Sequence, residues 1–369
     1  MCKRRAGAKL ETSNRKLDHL RITLLEDVEA GDTWLDFVKV PHRAVPELNL
    51  EEVVTEIEVF GKKLSAPLIV TGMTGGNEHA AKINAVIAEV VEELGLGMGV
   101  GSQRAAVERP ELEWTFRIAR ERAPNALLIA NLGAPQLLKG YGLEEIKKAI
   151  DMIDADAIAI HLNAAQESFQ PEGDVDYKGL LNKLSELVDK VEKPIIIKET
   201  GAGLDYESVK ALRELGIKAF DVSGSGGTSW VRVEMYRARE KGDEVLATVA
   251  DWMSSWGIPT AASIMEARAA APDALVIASG GIRDGLHAVK SLALGADLVG
   301  VALPALKAAY EGKEELKKFL KSMMLSIKIG LFLTGSPAPE HIKGKAIVLG
   351  PLKEWALERG IYEEWLRAR

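Results

Sequence analysis

The sequence predicts an α/β fold, a (β/α)8 TIM barrel with extensions at both ends and an insertion between the sixth and seventh strands. Short apolar runs of the buried-strand type alternate with runs whose apolar residues stand at helical spacing, such as residues 79–94, 143–153 and 206–215. Eight such strands favour a closed barrel of ~250 residues over an open, doubly wound sheet. The strands are predicted to begin near Pro67, Gly97, Leu127, Ala157, Pro194, Ala219, Leu275 and Leu298.

Residues 275–304 supply a second observation that predicts the barrel. They read as a strand, the turn Ser279-Gly280-Gly281, a helix, and a further strand that ends before Pro304. Glycine allows a ligand to approach the backbone closely, and the N–H groups at a helix start bind phosphate. One such turn would indicate only a tight reversal of the chain. Two in succession predict the phosphate site that follows strands seven and eight of a barrel.

The barrel pattern divides the chain into three parts. Residues 64–310 carry the barrel, residues 1–63 fit no barrel period and are predicted to be an extension or lid, and residues 311–369 read as amphipathic helices. The interval between the sixth and seventh strands is long, and its residues 228–256 are a second candidate lid. This insertion carries three tryptophans, namely Trp230, Trp252 and Trp256.

Composition and charge limit the classes of partner. The net charge is −7, so no overall basic field exists that would bind nucleic acid or an anionic membrane. No apolar run approaches the ~18 residues of a membrane span, and residues 1–9 lack the apolar core of a signal peptide. The single cysteine, Cys2, excludes a disulfide framework and a Cys-based zinc site. We therefore expect a cytoplasmic protein without nucleic-acid or membrane partners.

Polar residues follow six of the predicted strands. A single Asn or Ser at such a position is often only a helix cap, but the carboxyl ends of barrel strands converge on one mouth, where active sites lie. Six polar ends at one mouth predict an active site. They are TGMTGG at 71–76, GSQR at 101–104, Asn131, HLNAAQE at 161–167, Lys198-Glu199, and SGSGGT at 223–228.

Three charged side chains at these ends point to specific chemistry. Lys198 follows an apolar run, so its ammonium is expected near the barrel axis as an electrophilic anchor or a Schiff-base amine. The alternative is a lysine that extends to the solvated rim. Glu167 would suit a Mg²⁺ ion that retains its waters. The guanidinium of Arg104 suits phosphate, so we expect two anion sites, one for a cofactor and one for a substrate.

Seven motifs carry a family resemblance through their common order and spacing. They are RKLDH (15–19), TGMTGG (71–76), GSQRAA (101–106), HLNAAQE (161–167), IKETGAG (197–203), SGSGGTSW (223–230) and SGGIRDG (279–285). Together they closely resemble the FMN-dependent, type 2 isopentenyl-diphosphate isomerase family. The resemblance implies FMN in a (β/α)8 barrel, interconversion of isopentenyl and dimethylallyl diphosphate, Mg²⁺ on the diphosphate, NADPH as a reductant, and a homo-oligomer, either a tetramer or an octamer.

The resemblance also implies roles for individual residues. The candidate catalytic residues are Gln166, His161, Asn163 and Lys198, and the candidate metal ligand is Glu167. Contacts to FMN are expected from Thr71, Gly72, Met73, Thr74, Ser102, Asn131, Lys198, Ser223 and Thr228, and at its phosphate end from Gly280, Gly281, Arg283, Ala302 and Leu303. The substrate, and above all its diphosphate, is expected to contact Arg15, Lys16, Ser102, Gln103, Arg104 and Gln166.

The chemistry demanded by this reaction agrees with a flavin. Moving a double bond with no activating carbonyl requires one carbon to gain a proton and another to lose one, which ordinary side chains do poorly. A reduced flavin, with Lys198 stabilising negative charge on it, would offer N5 as an acid–base group.

Three other functions compete with this one, namely a flavin-dependent 2-hydroxy-acid oxidase, a nucleotide dehydrogenase of the inosinate type, and a non-catalytic flavin-binding scaffold. A 2-hydroxy-acid oxidase needs a histidine base after the sixth strand, where this chain has SGSGGTSW. A dehydrogenase of the inosinate type needs a loop cysteine, and the only cysteine is Cys2. A scaffold that only stores FMN would not need Arg104, Gln166, Glu167 and Lys198 together.

Overall fold

Eight parallel strands form a closed barrel in the computed structural model, which describes residues 15–369. Each barrel strand begins at the predicted residue or one residue later, so the predicted fold is confirmed. The barrel closes where β11 pairs with β4, and two short antiparallel pairs, β1 with β12 and β2 with β3, lie outside it. The strands are β1 Val38–Lys39, β2 Ile57–Val59, β3 Lys62–Leu64, β4 Leu68–Val70, β5 Gly97–Gly99, β6 Leu127–Gly133, β7 Ala157–His161, β8 Ile195–Lys198, β9 Ala219–Asp221, β10 Leu275–Ala278, β11 Leu298–Val301 and β12 Ile347–Val348.

Helices follow the barrel strands and surround them, as the sequence periodicity predicts. The three helical patterns chosen from the sequence correspond to α2, α6 and α9 below, with ends that agree to within one residue. The helices are α1 at residues 15–25, α2 Glu78–Leu94, α3 Arg104–Glu108, α4 Trp114–Arg122, α5 Ala134–Leu138, α6 Leu143–Met152, α7 Ala164–Phe169, α8 Leu180–Ser185, α9 Tyr206–Glu214, α10 Trp230–Glu240, α11 Glu244–Trp252, α12 Thr260–Ala270, α13 Gly285–Leu294, α14 Leu303–Glu311, α15 Lys313–Leu333, α16 Gly350–Glu358 and α17 Tyr362–Ala368.

Successive residues of each barrel strand alternate between two apolar layers. In β8, Ile196 belongs to the cluster inside the barrel, whereas Ile195 and Ile197 pack in the layer between strands and helices. Side chains alternate in this way because the strand period is two. The side chains inside are small or branched, and Val59 and Leu64 of the β2–β3 hairpin close the amino-terminal end of the barrel. The mouth at the other end is thereby left for polar side chains.

The two chain ends pack against the barrel. Helix α1 lies at the mouth, and the short pairing of β1 with β12 joins the N-terminal part to the C-terminal part. The indole of Trp365 in α17 is fully buried and donates to the carbonyl of Leu294, while Glu266 of α12 accepts from Trp355 and Arg359. The predicted amphipathic C-terminal helices are therefore present, but the β12 strand among them was missed.

The insertion between the sixth and seventh barrel strands is a helical hairpin of α10 and α11. Trp230 at the start of α10 is half-buried beside the mouth, whereas Trp252 and Trp256 are exposed. A lid role for this hairpin stays a prediction. Within residues 15–369, no helix combines the length and the hydropathy that crossing a bilayer requires. The predictions for Cys2 and for residues 1–9 lie outside the described part of the chain.

Candidate active site

A cavity of about 220 Å³ opens at the carboxyl ends of the strands. Residues that follow all eight barrel strands line it, and α1 covers part of it. Of the residues predicted to act in the site, every one except Gln103 lines this cavity. They are Arg15, Lys16, Thr71, Gly72, Met73, Thr74, Ser102, Arg104, Asn131, His161, Asn163, Gln166, Glu167, Lys198, Ser223, Thr228, Gly280, Gly281, Arg283, Ala302 and Leu303.

The structure does not bring Gln103 to the cavity. Its side chain is fully buried, where Nε2 donates to the carbonyl oxygen of Ala149 at 2.8 Å and Oε1 accepts from the amide of Asn131 at 2.8 Å. Both ends of the amide are thus used to join β6 to α6. Gln103 holds the loop that carries Ser102 and Arg104, and its side chain is not free to bind a diphosphate.

The turn after β10 and the start of α14 form a cradle for an anion. Gly280 and Gly281 have positive φ angles of 95° and 67°, and a Cβ on Gly280 would lie 2.2 Å from the carbonyl oxygen of Gly224. Glycine is therefore required at this turn. The N–H of Leu303, the first residue of α14, has no partner within its own helix, and Leu303 lines the same cavity. The fit to a phosphate group is good.

The floor of the cavity carries a buried ion pair. The ammonium of Lys198 donates to Oδ2 of Asp221 at 2.7 Å, and the hydroxyl of Ser279 donates to Oδ1 of the same carboxylate at 2.5 Å. The Lys198 side chain is only 9% exposed, so the rim alternative is wrong. Since a Schiff-base amine must be uncharged to react, the ion pair favours the electrophilic anchor.

Three cationic side chains gather at the opposite wall, with Arg15 and Lys16 on α1 and Arg104 on α3. Lys16 donates to the carbonyl of Ser102 at 2.7 Å, and its ammonium lies 5.3 Å from the ring centre of Phe116. Burial, together with the nearby Arg15 and Arg104, lowers the pKa of Lys16 to about 7. Burial and Arg104 also lower the pKa of Arg15. Placing several cations close together in a partly buried wall is electrostatically unfavourable. A bound anion would neutralise them, so this wall is a candidate anion-binding site.

The titration of Lys16 predicts how anion binding depends on pH. A bound diphosphate favours the ammonium and raises its pKa above the free value of about 7. The contribution of Lys16 is therefore complete below pH ~7 and is lost as the pH rises toward the higher pKa of the complex, by up to tenfold per unit. We expect the Kd of inorganic pyrophosphate, measured by calorimetry from pH 6 to pH 9, to increase across this window. Lys16→Arg is the control, because arginine stays charged across this pH range. The pH dependence that comes from Lys16 is then absent, and the pH dependence that comes from pyrophosphate remains. Equal pH profiles for the two proteins would contradict the assignment.

The loop after β7 and the start of α7 supply a second polar wall. The ring of His161 contacts Oδ1 of Asn131 through Nδ1 at 2.7 Å, and burial, with Lys198 and Lys16 nearby, lowers the pKa of His161 to about 4. His161 is therefore a neutral imidazole near pH 7 and is unsuited to be the general acid there. Asn163 donates to Oε1 of Glu167 at 2.8 Å, which fixes these two side chains relative to each other.

Gln166 is held by a residue that the sequence did not reveal. Its Nε2 donates to Oε1 of Glu234 at 3.2 Å, and the same oxygen is 2.8 Å from Nε2 of His19. Glu234 is fully buried in α10 and is paired with Arg237 at 2.6 Å. The hairpin insertion and α1 are thus joined behind Gln166. The sequence showed Glu234 as a charged residue among the apolar residues of α10. It did not show which side chains Glu234 would contact.

The donor set around Glu167 suits a metal that brings most of its own ligands. Within residues 15–369, no cluster of three or more His, Cys, Asp or Glu side chains could hold a metal ion. Glu167 is 9% exposed, and its Oε2 accepts from the amide of Asp174 at 2.7 Å and from Gln170 at 3.2 Å. Mg²⁺ is commonly held by one carboxylate, waters and substrate phosphates, and the residues present fit that arrangement.

Comparisons with known proteins agree with a flavin barrel. The family model of FMN-dependent dehydrogenases matches residues 161–349. Solved structures of mandelate oxidase share the fold: one mutant, with (S)-mandelic acid, has a TM-score of 0.59 at 16% identity and covers 93% of this chain and 98% of its own. Another, with 3,3,3-trifluoro-2,2-dihydroxypropanoic acid, also has a TM-score of 0.59, at 17% identity, with coverage of 92% and 98%.

Curated relatives match almost the whole chain. The isopentenyl-diphosphate delta-isomerase of Sulfurisphaera tokodaii is 52% identical over 354 residues, which are 95% of this chain and 96% of the relative. The protein of the same name from Metallosphaera sedula is 50% identical over 94% of this chain and 96% of its own. That from Archaeoglobus fulgidus is 47% identical over 95% and 100%.

Proposed function

Because this chain belongs to the isopentenyl-diphosphate delta-isomerase family, within the wider family of FMN-dependent dehydrogenases, we propose that it interconverts isopentenyl and dimethylallyl diphosphate with FMN and Mg²⁺ at the barrel mouth. The observation that carries this proposal is the combination of two separate anion sites in one cavity. A glycine cradle lies at Gly280 and Gly281, and a cation cluster of Arg15, Lys16 and Arg104 lies at the other wall. A phosphorylated cofactor and a diphosphate substrate would need both.

The cradle and the floor would hold FMN. The turn at Gly280 and Gly281 and the N–H groups at the start of α14 would bind its phosphate, with Arg283 adding positive charge. Arg283 is paired with Glu29 at 2.8 Å, which holds its guanidinium at the edge of the cavity. Lys198 would donate to the ring system. Reduced FMN would supply an acid–base group at the alkene, and a reductant such as NADPH would keep it reduced.

The cation cluster would bind the diphosphate, with Mg²⁺ held by Glu167. Binding there would place the hydrocarbon part of the substrate toward the floor, between the cofactor and the wall that carries His161, Asn163 and Gln166. Helix α1 would exclude water from the reacting carbons. The amide of Gln166, oriented by Glu234, would hold or pass a proton at the substrate, while the neutral His161 would shape the pocket.

The oxidase alternative receives less support. The two mandelate oxidase structures are 17% and 16% identical to this chain, and the resemblance concerns the fold alone. Residues 223–229 contain no histidine that could serve as the base for a 2-hydroxy acid.

An oligomer, either a tetramer or an octamer, and a cytoplasmic location remain part of the proposal. Exposed apolar side chains at four-residue spacing on α15, namely Leu325, Ile329 and Leu333, favour association of subunits.

The test of this function is an anaerobic assay of the purified protein reconstituted with FMN. We expect conversion of isopentenyl diphosphate to dimethylallyl diphosphate when the flavin has been reduced and Mg²⁺ is present. We expect no conversion with oxidised flavin or after removal of the metal by a chelator. Activity of the flavin-free protein without a reductant would contradict the proposal.

A further inference from the structure

The ion pair beneath the cavity involves a carboxylate to which no role has been given. Three neighbouring strands carry the groups of this pair. Lys198 is the last residue of β8, Asp221 is the last residue of β9, and Ser279 directly follows β10. Residues 196, 219 and 277 of those strands belong to the cluster inside the barrel. Since side chains alternate along a strand, the residues two positions further on also face the interior. The three polar groups therefore lie side by side across the barrel, just above its apolar filling.

Asp221 lies below the level at which a ligand could touch it. Lys198 lines both the mouth cavity and a second cavity of about 20 Å³ beneath it, whereas Asp221 lines only the lower one. That lower space is about the size of one water molecule. The Asp221 side chain is 4% exposed. Asp221 reaches the mouth through its two partners, Lys198 and Ser279, which both line the mouth cavity.

The hydrogen bonds at Asp221 fix the ammonium in one place. Oδ2 accepts from Lys198 and Oδ1 accepts from Ser279, so both oxygens are used and the carboxylate cannot rotate freely. An ammonium has three N–H bonds, of which Asp221 takes one. Two other titratable groups near Lys198 are His161 of β7, a neutral imidazole near pH 7, and Glu199, whose side chain accepts from the amides of residues 200–202 and whose pKa burial raises to about 7.

We infer that Asp221 is a positioning residue, which with Ser279 holds the Lys198 ammonium aimed at the flavin ring and thereby stabilises reduced FMN relative to oxidised FMN. The inference rests on the proposed function, because it requires FMN in the mouth cavity. A flavin ring gains negative charge on reduction, so a fixed ammonium favours the reduced form. An ammonium without a counterion is unfavourable in such a buried place, so Lys198 depends on Asp221 to remain there.

The test is the midpoint potential of bound FMN in the holoenzyme, measured anaerobically for the unchanged protein and for Asp221→Asn. The substitution removes the charge and keeps the shape. We expect the affinity for reduced FMN to fall at least tenfold relative to that for oxidised FMN, which lowers the potential of a two-electron couple by about 30 mV. An unchanged potential, or a raised one, in a variant that binds FMN would overturn the inference. A raised potential would mean that Lys198 keeps its place unaided.

Two further variants separate positioning from general damage. Asp156→Asn is the matched control: it removes a carboxylate that pairs with Arg120 at 3.2 Å at the other end of β7, and it should leave the potential unchanged. In a Lys198→Met background, Asp221→Asn should not lower the potential further, because no ammonium remains to be displaced, and a further fall of equal size would contradict action through Lys198.

A smaller change keeps the test decisive if Asp221→Asn fails to fold. Ser279→Ala removes one anchor of the carboxylate and should lower the affinity ratio about threefold, or about 14 mV. An unchanged potential in Ser279→Ala would then overturn the inference. FMN content is measured first in every sample. Unchanged protein that binds no FMN contradicts the proposed function, whereas FMN-loaded variants with unchanged potentials contradict only the role of Asp221.

Discussion

Replacing Gln166 with alanine should lower kcat by ~10²- to 10⁴-fold, the usual size of general acid–base assistance, while FMN stays bound. The side chain lines the cavity and is oriented by Glu234 at 3.2 Å, yet it is neutral and holds no place in the cradle for the cofactor phosphate. Its loss should fall on turnover and not on the affinity for the metal. Steady-state kinetics with reduced flavin, over a range of Mg²⁺ concentrations, measure this.

Glu167→Gln is the matched comparison, because it changes the neighbouring side chain by one charge. We expect that variant to retain FMN, to bind Mg²⁺ more weakly, and to recover part of its activity at high Mg²⁺. Gln166→Ala should show no such recovery. If both variants depend on Mg²⁺ in the same way, or if neither loses activity, the loop after β7 is structural and the proposed division of roles is wrong.

Removing the two cations of α1 should raise KM for isopentenyl diphosphate by about 10²-fold or more. Each charge-assisted hydrogen bond contributes ~1.5–3 kcal/mol, and Arg15→Ala combined with Lys16→Ala removes two. FMN content should not change, because neither residue lies in the glycine cradle at the opposite wall. Initial-rate kinetics and flavin absorbance of the same preparations give both quantities.

Arg21→Ala is the control for this helix. Arg21 lies on α1 but pairs with Glu240 at 2.5 Å on the surface, outside the cavity. Its removal should change KM little, because surface ion pairs contribute ~0–1 kcal/mol. A double alanine variant with normal KM would show that Arg15 and Lys16 do not bind the diphosphate.

The sequence was sufficient for the barrel and for the composition of its mouth. Strand and helix periods are local properties, and the carboxyl ends of parallel barrel strands must meet, so polar residues after each strand could be assigned to one cavity without knowledge of their contacts. Glycine turns such as Gly280-Gly281 could also be located, because their positive φ angles are a backbone requirement.

Features that depend on contacts between distant residues were not predictable in the same way. Gln103 stands in a motif that faces the mouth, yet its amide turns inward to Ala149, 46 residues away. Glu234 lies 68 residues from Gln166, in an insertion whose helical hairpin has no barrel period. The pairing of Asp221 with Lys198 depends on which face of β9 carries Asp221 and on which strand lies beside it. The register of the barrel, in which Lys198 stands opposite Asp221, was needed to see this.

The most direct test of the central claim is the number of substrate molecules converted per enzyme-bound FMN, measured anaerobically with reduced FMN, Mg²⁺ and isopentenyl diphosphate. Product is followed by proton NMR and the flavin by its absorbance in parallel samples. We expect many molecules of dimethylallyl diphosphate per enzyme-bound FMN, with the flavin spectrum remaining that of the reduced form, because an isomerisation consumes no electrons. Product limited to one molecule per flavin, flavin oxidation in step with turnover, or no dimethylallyl diphosphate from FMN-loaded protein would contradict it.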